Sequence, residues 1–264
     1  MNAANLYVIG LGPGSTECLT PQAYAALSAA GCIVGYRRYV NMVPPELLAG
    51  KCCIQSAMRQ ERERCEAAVK SACEGIPTAL VCSGDPGVYA MAGLALETLE
   101  IYDLVDKIPF VVIPGVPAVC AAAALLGAPL IHDFACISLS DLLTPWERIV
   151  RRLTAALEAD FTCVIYNPRS KGRPHYLTQA LELAAQFRAP HCPVGLVRQA
   201  FRPGQKVGVY RLDQFCTEQV DMLSICIIGN TESRALGPYM LTPRGYSRKT
   251  ASGRDSVQER MSIS

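Results

Sequence analysis

The stretch Leu6-Tyr-Val-Ile-Gly10-Leu-Gly-Pro-Gly14 decides the fold: a short apolar run that stops in a turn rich in glycine and proline. Such a run reads as a buried strand. Thr20-Pro21 then opens a helix to about Ala30, with threonine as N-cap and proline in the first turn. Cys32–Gly35 reads as a second strand and Arg59–Glu74 as a charged amphipathic helix stopped by Gly75. Thr78–Cys82 is a third strand, running into Ser83-Gly-Asp-Pro-Gly-Val-Tyr89 and a helix to about Leu99. A fourth strand, Phe110–Ile113, runs into Pro114-Gly-Val-Pro117. Strands alternating with helices through short connections imply an α/β fold with a parallel sheet covered on both faces.

The second half continues in the same style. Phe134–Leu139 and Phe161–Asn167 read as strands, and Arg173–Phe187 as a helix. Thr144-Pro145-Trp146-Glu147 has the form of a capping box launching a helix to about Glu158. Val194–Val197, Lys206–Tyr210 and Leu223–Ile228 are strands too close together for helical crossovers, so a mixed sheet is expected there. The division expected is residues 1–127 and 128–246 as two domains, with 247–264 as a flexible tail.

Half of the 264 residues are apolar and 18% are charged, enough for sizeable cores. The formal net charge is +2, and the tail from Arg244 contributes +3 of it through five cations and two anions. A body near −1 lacks the basic footprint of a nucleic-acid-binding protein. The 24 uncharged residues from Ile108 to Ile131 could span a bilayer, but four prolines and two glycines divide them into a strand, a turn and a short Ala-rich helix. No membrane association is expected. Thirteen cysteines are scattered through apolar runs without a Cys-x-x-Cys pair, and the start lacks a secretory leader. A reduced, cytoplasmic protein follows, with no metal site; three histidines (His132, His175, His191) offer few ligands.

In open α/β sheets ligands bind beyond the carboxyl ends of the strands, where this chain puts three glycine- and proline-rich turns. The first is no phosphate-binding P-loop, because Ser15-Thr16-Glu17 lacks the lysine. It fits a dinucleotide fingerprint poorly: Ser15 stands in place of the third glycine, and Pro13 removes a backbone donor. Tyr36-Arg37-Arg38 follows the second strand instead of an acid. That arginine pair would suit a 2′-phosphate, so an NADP-dependent reductase stays an alternative, one that leaves the Gly-Asp-Pro turn unused.

Together the three turns resemble those of the tetrapyrrole methylases, which use S-adenosylmethionine to methylate intermediates of corrin and sirohaem synthesis. Val34-Gly-Tyr36 with Tyr39, His132-Asp-Phe134 with Ile137–Glu147, Tyr166-Asn-Pro-Arg-Ser170, Ile228-Gly-Asn230 and Leu241-Thr-Pro-Arg-Gly-Tyr246 resemble the branch that methylates carbon 17 of precorrin-3B. The similarity runs over roughly residues 5–246. It implies a two-domain homodimer in cobalamin biosynthesis, with an N-terminal mainly parallel sheet, a C-terminal mixed sheet and the active-site cleft between them. The substrate implied is precorrin-3B or its cobalt-containing counterpart, cobalt-factor III. Other regiospecificity within the corrin pathway, or a non-catalytic tetrapyrrole carrier, are the remaining alternatives.

Carried over by position, the resemblance implies a donor pocket of Pro13, Ser83, Gly84, Asp85, Val88, Pro117, Ala118, Asn167 and Ala200. Ser83 stands where many relatives have glycine, and Asn167 where some have methionine. A carboxylate against a sulfonium would stabilise the ground state more than the transition state, so Asp85 is expected on the ribose hydroxyls or the ammonium group. Ring contraction calls for a proton donor or acceptor, for which His132, Asp133, Ser138 and Asp141 are candidates, with Ser140 beside them. The acetate and propionate groups of the macrocycle call for guanidinium forks. Arg37, Arg38, Arg59, Arg169, Lys171, Arg173, Arg202 and Arg244 lie in or beside loops, and Arg169-Ser-Lys171-Gly-Arg173 is the first choice. Gly12 and Gly14 are placed against the substrate, while Arg62 and Arg64 are read as i,i+4 partners of acids.

Overall fold

β1 (Leu6–Gly10) lies one strand from the edge of a five-stranded sheet completed by β2 (Cys32–Tyr36), β3 (Cys52–Ser56), β4 (Thr78–Cys82) and β5 (Phe110–Ile113). The computed structural model describes residues 3–170 and 172–246; the tail 247–264 lies outside the described residues. The strand order is β3-β2-β4-β1-β5, and the pairings are parallel. Gly10 is level with Cys82 and Ile9 with Ile113, so the turns after β4, β1 and β5 leave the sheet side by side. β3 has no apolar run to announce it: it is an edge strand in which Cys52, Cys53 and Gln55 are exposed.

The alternation of side chains along these strands builds two cores. Ile9, Ile33, Ala79 and Val81 face α1 (Pro21–Ala29) and the short helices α2 (Arg37–Val40) and α3 (Pro45–Leu48). Leu6, Val8, Leu80 and Cys82 face α4 (Glu61–Cys73) and α5 (Ala92–Ile101). Each Leu, Ile or Val among them taken fully out of water contributes about 1.5–3 kcal/mol. The caps explain the helix limits. Thr20 Oγ1 accepts the Ala23 N–H at 3.1 Å with Pro21 in the first turn. Gly75, at φ +82°, turns the chain out of α4. α4 starts later than the sequence suggests because Arg59 is left-handed, at φ +66°. Arg64 is a correction: it is 4% exposed and donates to Ser56 Oγ and the Ala57 carbonyl, rather than pairing with an acid on its own helix.

The uncharged stretch from Ile108 resolves into β5, α6 (Ala118–Leu126) and the two-residue β6 (Gly127–Ala128). Among the described residues no helix is long and apolar enough to cross a membrane. Beyond it come β7 (Phe134–Ser138), α7 (Trp146–Glu158), β8 (Thr162–Tyr166), α8 (Tyr176–Ala184), β9 (Pro193–Arg198), β10 (Lys206–Arg211) and β11 (Ser224–Ile228). These strands form a second sheet, β10-β9-β11-β8-β7, in which β7 and β8 are parallel while β11 runs antiparallel to both neighbours. That sheet is mixed, as the strand spacing requires. One core lies under α7 and α8, around Leu153, Leu157, Leu177, Ile165, Val194 and Ile228.

Two local expectations are corrected by the structure. Pro145, not Thr144, is the N-cap of α7, and no side chain caps it. α8 begins at Tyr176 rather than Arg173, because Ser170 and Arg173 close a small bridge of their own. A further sheet, β12 (Arg234–Leu236) and β13 (Tyr239–Leu241) beside β6, is built from strands too short to show a period. By its contacts the chain divides into two units, Met1–Ala122 with Gln199–Lys206, and Ala123–Arg198 with Val207–Ser264. The return of Gln199–Lys206 to the first unit has no counterpart in a single cut at Gly127.

Candidate functional site

At the carboxyl edge of the first sheet the backbones of three turns touch. A Cβ on Gly10 would stand 2.6 Å from both Gly115 N and Gly84 O, and one on Gly115 would collide with Gly84 O and, at 2.8 Å, with Gly10 C. Only glycine allows this approach. Gly12 and Gly84 exchange main-chain hydrogen bonds, Gly12 N to Gly84 O at 3.1 Å and Gly84 N to Gly12 O at 2.7 Å. Gly84, at φ +70°, lies 3.7 Å (measured from where its Cβ would be) from Ala118 N and Pro117 Cα. Asp85 ties the edge together: Oδ1 accepts the Gly87 N–H at 2.8 Å and Oδ2 the Gly115 N–H at 3.1 Å. Val88 closes the same turn by donating its N–H to the Asp85 carbonyl. Six donor-pocket candidates, Ser83, Gly84, Asp85, Val88, Pro117 and Ala118, therefore share one edge, and Pro13 lies on the adjoining turn.

The segment Gln199–Lys206 adds to this edge. Gln199 and Phe201, which flank Ala200, are both left-handed at φ +52° and +55°. Non-glycine residues in that region mark a backbone held by its surroundings. They deliver Arg202, whose Nε donates to the Pro13 carbonyl and whose Nη2 donates to Ser83 Oγ at 2.7 Å. Gly14 is glycine because a Cβ there would stand 2.7 Å from Arg202 Cγ. Gly12 and Gly14 thus have local packing reasons of their own. Arg37 and Arg38 begin α2 at the carboxyl end of β2, and both are exposed.

In the second unit the catalytic candidates fall at opposite ends of β7. His132 and Asp133 precede it; both are exposed, and the Asp133 N–H donates to His132 Nδ1 at 2.8 Å. They line an open recess of about 310 Å³ with Asp160, Phe161, Asn230 and Glu232. Ser138 ends β7, about 16 Å away at the rise of an extended strand. The candidates therefore fall into two separate places, His132 with Asp133 at one end of β7 and Ser138 at the other. Ser138 Oγ instead accepts from Asn167 Nδ2 at 2.9 Å and from the Ser140 N–H at 3.2 Å. Asn167, at φ +50°, caps the carboxyl end of β8.

Asp141 accepts the Tyr176 hydroxyl at 2.8 Å and faces Arg173 Nε at 3.5 Å. The carboxylate beside it raises the Tyr176 pKa above the ordinary phenol value. Tyr176 stacks on Trp146 with centroids 3.9 Å apart, a contact no sequence period signals. Arg173 donates to the Leu139 carbonyl at 2.9 Å and Arg169 to the Thr217 carbonyl at 2.7 Å. Lys171 lies outside the described residues. The Ile228-Gly-Asn230 and Leu241-Thr-Pro motifs meet in a turn, where Asn230 Oδ1 accepts from Ser233 Oγ at 3.0 Å and Ser233 Oγ lies 2.7 Å from Thr242 Oγ1. Among the described residues no group of three or more His, Cys, Asp or Glu could hold a metal ion.

Residues 5–216 match the sequence model of the tetrapyrrole (corrin/porphyrin) methylases. A probable cobalt-factor III C(17)-methyltransferase of Salmonella typhimurium is 46% identical over 242 residues, spanning 92% of this chain and 99% of that protein. A precorrin-3B C(17)-methyltransferase of Sinorhizobium sp is 39% identical over 251 residues, 92% of this chain and 97% of that one. The crystal structure of the methyltransferase CobJ superposes with a TM-score of 0.87 at 39% identity, over 91% of this chain and 100% of that one. The chain belongs to the tetrapyrrole (corrin/porphyrin) methylases.

Proposed function

We propose that the chain is an S-adenosylmethionine-dependent methyltransferase acting at carbon 17 of precorrin-3B or cobalt-factor III, with ring contraction, in cobalamin biosynthesis. The reading rests on full-length similarity to C(17)-methyltransferases. The observation that carries it is the main-chain edge formed by Gly10, Gly12, Gly84 and Gly115, stitched by Asp85. Membership of this family leaves the reductase reading of Arg37 and Arg38 without support.

The donor fits this edge. Pro13, Ser83, Gly84, Asp85, Val88, Pro117, Ala118 and Ala200 are the residues of the first unit that would hold it, and Asn167 is the candidate from the second. When bound, the sulfonium supplies the methyl group and keeps the electron pair of the broken carbon–sulfur bond. Asp85 acts by holding the turns after β4 and β5 in register, since both its oxygens accept main-chain N–H groups. Each of its oxygens keeps a further lone pair, with which Asp85 would meet the donor's ribose hydroxyls or ammonium group rather than its sulfonium. The turns position the donor, and alignment of two reactants can supply several kcal/mol of the barrier. Ser138 and Asn167 form the polar pair best placed to orient the macrocycle, with Arg169, Lys171 and Arg173 for its carboxylates. His132 and Asp133 stand apart from that pair and have no role in this reading. A homodimer in the cytoplasm belongs to the same proposal.

The test is incubation with S-adenosylmethionine carrying a labelled methyl group and either acceptor under anaerobiosis, followed by mass spectrometry. One labelled methyl on the macrocycle is the expected result. Donor binding without transfer to either acceptor would overturn the assignment of substrate.

A further inference from the structure

Among the buried or half-buried arginines most are satisfied by the protein itself. Arg64 and Arg188 donate to backbone carbonyls and side-chain oxygens, Arg173 faces Asp141, and Arg198 pairs with Asp221 at 2.7 Å. Arg202 differs. Its Nε and one Nη2 proton are fixed by the Pro13 carbonyl and Ser83 Oγ. A guanidinium carries five N–H donors in a planar fork, so the Nη1/Nη2 end of this one keeps three. Among the described residues no carboxylate forms an ion pair with it.

Partial burial of a cation without a counter-ion is unfavourable. Burial lowers the Arg202 pKa from its ordinary value, offset in part by the Tyr39 phenol, but arginine remains charged at any working pH. The side chain is also rigidly aimed. Gly14 leaves it room, the left-handed Gln199 and Phe201 shape its segment, and Gln205 Oε1 accepts the Phe201 N–H at 2.7 Å.

We propose that the free Nη1/Nη2 fork of Arg202 receives a ligand carboxylate at the carboxyl edge of the first sheet. The inference rests on the methyltransferase reading and deepens it. Two ligands of that reaction carry carboxylates, the amino-acid end of the donor and the acetate and propionate arms of the macrocycle, and both match a planar fork. Ser83 belongs to the same device: a glycine there would leave Nη2 without its hydroxyl acceptor.

Calorimetric titration of the full chain and of Arg202→Gln with S-adenosylhomocysteine and with 5′-methylthioadenosine, which lacks the amino-acid end, separates the sources. If the donor's carboxylate is the ligand, Arg202→Gln weakens S-adenosylhomocysteine about 10- to 100-fold, the loss of a charge-assisted contact, and leaves 5′-methylthioadenosine within about twofold. If the macrocycle's carboxylate is the ligand, both nucleosides bind as in the wild type and KM for the tetrapyrrole rises about tenfold or more. Unchanged 5′-methylthioadenosine binding also shows that the turns remain folded; should the Gln variant fail to fold, Arg202→Lys provides the same comparison with the charge kept and the fork removed. Donor affinity and tetrapyrrole KM both within about twofold of wild type, in a folded variant, would overturn the assignment of Arg202 alone. A wild-type chain that binds no S-adenosylhomocysteine would overturn the methyltransferase reading, and this inference with it.

Discussion

At the carboxyl end of β4 the oxygens of Asp85 hold main-chain N–H groups of Gly87 and Gly115, whereas at the carboxyl end of β8 the amide of Asn167 holds another side chain, Ser138. The first edge is a backbone surface made possible by missing side chains. The second is a side-chain network, with Asp141, Tyr176, Arg173 and Trp146 one turn further on. The two should respond to mutation differently. A backbone surface tolerates no added atom, because its neighbours cannot rotate aside. A side-chain network loses one bond at a time.

The sharpest way to break this contrast is Gly115→Ala. Its φ is not in the left-handed region, so the whole effect is collision of the methyl with Gly84 O and Gly10 C. Neither is a flexible side-chain end, and overpacking of this kind costs about 1–3 kcal/mol, occasionally more. We expect the urea midpoint of the first unit to fall accordingly and donor binding to be lost. A stable variant with wild-type donor affinity would show that the three turns do not need their close approach.

Asp85→Ala comes next. It removes the acceptor from two N–H groups at once: the exposed Gly87 N–H turns to water, while the part-buried Gly115 N–H loses its partner at about 1–3 kcal/mol. Asp85→Asn retains one acceptor oxygen but turns an amide donor toward the other N–H, and should recover less than half of the loss. Hydrogen exchange at Gly87 and Gly115 reads this directly: both amides should exchange faster in the Ala variant, and unchanged rates would remove the stitching role.

How much of this was legible follows the same division. β1 and β4 match their apolar runs residue for residue, because a strand buried in a parallel sheet is hydrophobic along its whole length; the edge strand β5 matches its run too, although Val112 is exposed. Their turns announce themselves as glycine and proline, and backbone sites are the kind a motif preserves. β3, β6, β12 and β13 left no such run, being short, exposed or at edges. The side-chain site is the harder one to read. The strand Phe134–Leu139 is legible and puts His132 and Ser138 at its opposite ends, but nothing in the order of residues says that Ser138 meets Asn167 at the end of the next strand. The pairing of Arg202 with Pro13 and Ser83 joins positions far apart in the chain, with only the unusual Gln199-Ala-Phe-Arg202 segment as a cue.

For the second edge the informative pair is Asn167→Ala and Asn167→Gly. Asparagine suits the left-handed region better than alanine. Alanine therefore loses both the Ser138 bond and the backbone preference, roughly 1–2 kcal/mol together. Glycine keeps the backbone and loses only the bond, about 0.5–1.5 kcal/mol. Thermal unfolding of the two variants separates these contributions. If they coincide, the φ of +50° is imposed without cost and the side chain alone matters.

The last contrast should vanish, and around neutral pH it gives stability no pH dependence. Each unit buries three thiols whose pKa burial pushes up: Cys32, Cys65 and Cys82 in the first, Cys163, Cys192 and Cys226 in the second. Cys82, Cys163 and Cys226 are pushed to about 12 and the others to about 11, against an ordinary value of 9.0. The folded chain therefore keeps these protons where the unfolded chain releases them, and linkage turns that difference into stability. The contribution is fully present below pH 9.0 and is lost as the pH climbs toward 11 and 12. Urea unfolding across that range should show a flat midpoint up to the ordinary thiol pKa and a steady fall above it, in both units alike. A fall confined to one unit would mean that the thiols of the other unit are less protected than their burial indicates, and would separate two cores that here look equivalent in this respect.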